Sequence, residues 1–117
     1  MPRTSAEFDF RRPVCYNNQA KRAFHSHARR QLKLLADALG LPPQGYDLRS
    51  NAGGIAVSGE VTMHADHVYV QACQPATGQD SGLMFRACGS RKDYHGGPNN
   101  FAPLDLLNRP DELARRI

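Results

Sequence analysis

Five histidines and three cysteines are the residues best suited to proton transfer, metal ligation or nucleophilic attack, so their spacing decides which chemistries are open. His64 and His67 flank Asp66 at a turn between two alternating segments, where two imidazoles would supply half of a tetrahedral zinc set. His25 and His27 lie two apart on a helical stretch and point to different sides. Cys15, Cys73 and Cys88 are odd in number and contain no C-x-x-C pair, which argues against a structural zinc site and against a disulfide framework. No cysteine or serine sits in a recognisable nucleophile and base arrangement. The expectation is therefore no catalytic residue, no metal and no cofactor.

The densest polar cluster is RACGSRKDYHGGPNN, from Arg86 to Asn100, which joins Arg91, Lys92, Tyr94 and His95 to a Gly96-Gly97 pair. Backbone amides of a glycine-containing loop can hold an anion, with Arg91 or Lys92 assisting, but the spacing matches neither a P-loop nor a Rossmann fingerprint. A metal-independent ribonuclease using His64 or His95 with Arg91, Lys92 and Tyr94 is the enzymatic alternative. An ordinary surface loop is the simpler reading.

Cations form a second pattern. Arg22, Arg29 and Lys33 recur along one side of a helical segment, flanked by Lys21 and Arg30, and only Asp37 opposes them. Such a stripe can neutralise phosphates or dock on an acidic protein, although charged outer faces also keep amphipathic helices in solution. A third candidate is a polar sheet face bearing Arg49, Ser58, Glu60, Thr62, Tyr69, Gln71, Cys73 and Arg86, on which Glu60 and Arg86 could pair.

The elements that would position these residues follow from periodicity. Residues 1–16 show no period and read as an arm lying across the domain through Phe8, Phe10 or Tyr16. Phe24, Ala28, Leu32, Leu35 and Leu39 then mark an amphipathic helix over 19–39, capped by Asn17-Asn18 and stopped by Gly40. From Tyr46 the period becomes two. A turn at Ala65-Asp66 would pair Met63 with Val68, Val61 with Val70 and Gly59 with Ala72, and a loop over 51–54 would pair Leu48 with Val57 and Tyr46 with Gly59. Leu83, Phe85 and Ala87 supply a fourth inward row. The prediction is a single α+β domain: an N-terminal helix, a four-stranded antiparallel meander over 45–88, a loop over 89–100 and short C-terminal helices over 103–117. Pro103 and Pro110 open those helices, and Leu113 and Ile117 share one side of the second.

A chain of 117 residues with 40% hydrophobic and 22% charged residues fits one soluble core. The formal net charge of +4 favours acidic partners. Without an apolar run suited to a signal peptide or a membrane span, and with three unpaired cysteines, the expected setting is cytoplasmic and membrane-free.

Leu48 to Thr62 (LRSNAGGIAVSGEVT), Tyr69-Val70-Gln71, Arg91-Lys92-Asp93-Tyr94 and Gly96-Gly97 to Asn100-Phe101 resemble a family of short uncharacterised proteins of proteobacterial plasmids and integrated mobile elements. The resemblance covers roughly the last two-thirds of the chain. It brings no active site, but it implies an accessory protein of a mobile element that acts on a host or element component, including inhibition of a nucleic-acid-targeting defence complex.

Together these readings predict a small basic, non-enzymatic binding protein whose partner is a host protein or ribonucleoprotein, with direct DNA or RNA binding as the alternative. The candidate surface is Arg22, Arg29, Lys33, Arg49, Tyr69, Arg86, Arg91, Lys92 and Tyr94.

Overall fold

Asn17 starts the first helix, α1 (Asn18–Ala38), by accepting the Ala20 N–H on its side-chain oxygen at 2.9 Å. Gly40 ends it. At φ +78 it donates to Asp37 O at 3.0 Å while Leu41 donates to Ala36 O at 2.9 Å, the paired bonds of a left-handed helix stop. Phe24, Ala28, Leu32 and Leu35 are fully buried, as their spacing predicts. The computed structural model of the chain describes residues 8–10, 12–74, 82–90, 93 and 96–117.

Five antiparallel strands follow in meander order: β1 (Tyr46–Asn51), β2 (Glu60–Ala65), β3 (Val68–Cys73), β4 (Leu83–Ala87) and β5 (Asn100–Ala102). The expected four strands become five because the chain returns along β4 and pairs Leu83 with Ala102 and Phe85 with Asn100. Three residues are too few to register a period, so β5 takes in the last residue of the expected loop, Asn100, and the two residues between that loop and the expected helices.

The β2–β3 register differs from the expected one by two residues: Met63 faces Val70 and Val61 faces Ala72, and the turn is Asp66-His67. An even shift leaves every side chain on its expected face, so apolar matching scores the two registers alike. The turn keeps two residues but moves one position along the chain, so Ala65 joins β2 and β3 begins at Val68.

The β1–β2 register departs further. Tyr46 faces Ala65 and Leu48 faces Met63, not Gly59 and Val57. The connection therefore covers all of 52–59 and carries Ile55 and Val57 outward, 65% and 49% exposed, although both were expected inside. Gly59 sits where the chain re-enters the sheet, at φ +75. A Cβ there would overlap the carbonyl oxygens of Asn51 and Ala52, so this glycine is a corner and not the middle of a strand.

One face of the sheet carries α1, a 3-10 turn over Leu104–Asn108 and a short helix, α2 (Pro110–Arg116). Val61, Met63, Val70, Leu83 and Phe85 meet Phe24, Leu32, Leu35, Leu104, Leu107 and Leu113 in one cluster. Asp111 and Glu112 open α2 and Arg115 and Arg116 close it, each sign favoured by the helix dipole. Of the expected inward set, Ala87 and Ile117 are exposed, because both lie at the ends of their elements.

The arm crosses this layer through Phe10, fully buried and edge-on to Phe24 at 6.0 Å, and through Phe8, stacked on His27 at 4.4 Å. Asn108 donates to Phe8 O at 2.9 Å and Gln31 to Leu107 O at 2.7 Å, tying the arm and α1 to the C-terminal segment. Tyr16 does not join them and is 70% exposed. Among the described residues no helix is long and apolar enough to cross a membrane.

Candidate functional site

Four-residue spacing places Lys21, His25 and Arg29 on one side of α1, facing the chain between β1 and β2. Lys21 Nζ donates to Ala52 O at 3.1 Å and to Gly54 O at 2.7 Å, His25 Nε2 lies 2.9 Å from Ser58 O, and Arg29 Nη1 donates to Ser50 Oγ at 3.1 Å. Tyr16 N–H donates to Ile55 O at 2.8 Å from the other side of the loop. Ser58, itself buried, accepts Gln74 N–H on its hydroxyl at 3.0 Å. The 52–59 connection is thus clamped along its length.

That clamp divides the expected cationic stripe. Lys21 is only 7% exposed and Arg29 is engaged with Ser50, so both have structural work to do. Arg22, Arg30 and Lys33 remain exposed and, among the described residues, pair with no carboxylate. Leu34 lies exposed beside them. From Arg22 to Lys33 the row spans about 16 Å of helix.

The opposite side of the molecule is the outer sheet face. One row across the strands reads Asp47, His64, Tyr69, Arg86, and the next Arg49, Thr62, Gln71, Met84, Phe101. Arg86 stands over the Tyr69 ring, 4.6 Å from its centroid, and Tyr69 OH donates to Gln71 Oε1 at 3.3 Å. Arg49 pairs with Asp47 at 3.6 Å. The expected Glu60 and Arg86 pair is not formed. Glu60 faces Cys73 and Arg86 faces Tyr69, positions roughly 13 Å apart along β3.

The chain beyond β4 roofs one end of this face, which strand alternation alone would leave open to solvent. His64 Nε2 lies 3.0 Å from Ser90 O, Gly97 N–H donates to Ala87 O at 2.9 Å, and His64 is 1% exposed. A histidine so enclosed cannot reach an RNA substrate, and His67 lies exposed in the turn instead of beside it. Two amides of the glycine-containing loop that could have held an anion are taken by Asp93, whose carboxylate accepts Gly89 N–H at 2.8 Å and Gly96 N–H at 2.9 Å. Arg91, Lys92, Tyr94 and His95 lie outside the described residues.

Burial pushes the Cys73 thiol above its ordinary range, against a lowering hydrogen bond from Gln71 and with a further rise from Glu60. Cys88 rises too, through burial first and the neighbouring charge of Asp93 second. Both stay neutral and weakly nucleophilic at physiological pH. Among the described residues no group of three His, Cys, Asp or Glu side chains could hold a metal ion.

The structure therefore separates the candidates. Arg22, Arg29 and Lys33 share the α1 side, whereas Arg49, Tyr69 and Arg86 share the outer sheet face behind it. The residues that periodicity missed are Tyr16 and Ile55, brought side by side by the Tyr16 N–H to Ile55 O bond. The Gly53-Gly54 pair ahead of Ile55 was the available signal that the strand had not yet begun. Comparison with protein-family models, with curated proteins and with solved structures finds no match for this chain.

Proposed function

We propose that the protein is a non-enzymatic binding module that engages an acidic partner, a host protein or ribonucleoprotein, through the solvent side of α1. The observation that carries this reading is the row Arg22, Arg30 and Lys33, exposed and without a carboxylate partner among the described residues. The surroundings reinforce it, since neither residues 10–36 nor residues 48–59 contain a single Asp or Glu. The net charge of +4 is thereby concentrated where α1 and the 52–59 connection meet. Raised thiols and an enclosed His64 weigh against catalysis by these groups. The resemblance of the Leu48 to Thr62 stretch to mobile-element proteins makes a nucleic-acid-targeting defence complex the partner class to try first.

Affinity capture from host cells that assemble such a complex tests the proposal: wild-type protein should retain the complex and R22Q/R30Q/K33Q should not. Equal retention by both would defeat it. Direct DNA or RNA binding is the second reading, favoured by a row long enough to follow a phosphate backbone. It predicts a log–log slope of affinity on salt near about −2.7 for three phosphate contacts on duplex. A flat salt dependence measured by fluorescence anisotropy would remove it.

A further inference from the structure

Tyr16 combines two unusual properties. It is 70% exposed, and it is the one non-glycine residue with positive φ among the described residues, at φ 64. A bulky side chain in the left-handed region is held there by its surroundings, here by the 2.8 Å bond from Tyr16 N–H to Ile55 O. Ile55 is itself 65% exposed. The two are displayed on a rigid support, because Lys21 fixes the carbonyls on either side of Gly53. Beside them a shallow hollow of about 380 Å³ opens between Asn18, Lys21 and Arg22 on the helix and residues 52–55 of the loop.

Resting on the proposed binding role, we infer that Tyr16 and Ile55, with Arg22 at the rim of the hollow, are the anchor that docks an acidic protein segment presenting an apolar side chain between carboxylates. Aromatic and arginine side chains at the centre of an apolar spot are the residue types that dominate binding energy at protein interfaces. Preorganisation matters equally: a loop already clamped loses little conformational freedom on binding. Charge selects the occupant. The anchor lies where two acid-free segments meet, with Lys21 and Arg22 lining the hollow, so carboxylates flanking the inserted side chain are attracted to it. A second copy of this chain is disfavoured on the same ground, since a two-fold contact through this patch would set its cations against their own equivalents.

Selection of short random peptides displayed on phage against the purified full chain tests the inference, with affinities then measured by fluorescence anisotropy. Enriched peptides should carry Asp or Glu around a leucine, isoleucine or aromatic residue. Tyr16→Ser and Ile55→Ser should each weaken them by about tenfold or more while leaving the melting temperature unchanged, since both side chains are exposed. Enrichment of no such pattern overturns the inference. If the selected peptides are insensitive to both serine variants yet lose affinity in R22Q/R30Q/K33Q, the anchor is wrong and the electrostatic reading survives. If neither set of variants weakens binding, both fall. A single-stranded oligonucleotide that binds wild type and loses affinity in Tyr16→Ser would reassign the anchor to base stacking. Dimerisation by sedimentation, abolished by Ile55→Ser, would reassign it to self-association.

Discussion

Lys21 shows how a charge that looks available can be withdrawn from solution. Its stem follows the apolar side of α1 while its ammonium donates to two carbonyls of the 52–59 loop, Ala52 O and Gly54 O. Lys21→Met keeps the stem and removes the donor, leaving Ala52 O and Gly54 O to find water. We expect a loss of about 1–3 kcal/mol in urea unfolding, together with faster amide exchange confined to 52–58. An unchanged exchange pattern would mean that the bonds do not hold the loop. Helical spacing sets Lys21 apart from Arg22, three residues before Phe24 on the apolar side, but does not show what its ammonium meets there, because the acceptors lie 31 and 33 residues on. Tyr16 was equally illegible, since an exposed aromatic and a buried one look alike in an arm without a period. Phe10, unlike it, has the rings of Phe8 and Phe24 within reach.

At the scale of elements, what the residues make legible is which face each side chain takes, and what they hide is where each strand stops. Val61, Met63, Val70, Leu83 and Phe85 all take their expected side. Alternation is blind to even shifts, however, so the β2–β3 pairing was displaced by two and the β1–β2 pairing by more. Ile55 and Val57 continue the β2 alternation in sequence yet lie outside the sheet, and Gly59 is the reason. Its positive φ breaks the extended chain between them and Val61. Gly59→Ala forces a Cβ into backbone atoms that cannot move aside independently, and should cost at least ~1–3 kcal/mol, read as a lowered thermal midpoint. An ordinary strand glycine would instead tolerate alanine or gain from it, so the sign of the change decides between corner and strand.

Across the whole molecule, one layer of sheet separates two polar surfaces that composition alone would merge. Arg22 and Lys33 project from the helical layer, while Arg86, Tyr69 and the 58% exposed Phe101 belong to the far side. A partner gripping the helical layer does not touch Phe101. Phe101→Ser should therefore leave affinity for a selected acidic peptide unchanged, and R30Q/F101S should match Arg30→Gln to within about 0.5 kcal/mol. A larger coupling in that cycle would place the two surfaces under a single partner.

The bond from Asn108 to the carbonyl of Phe8 has a temporal side as well as a spatial one. Translation delivers Phe8 100 residues before Asn108, and the floor on which the arm rests, with Leu104, Leu107 and Leu113, is made equally late relative to it. The helix and meander can assemble on a nascent chain, but the arm must wait, exposing Phe8 and Phe10 to chaperones and proteases until the C-terminal segment is free to dock. Synthesis order thus makes Phe8 late to lock, although it is made before every strand of the sheet.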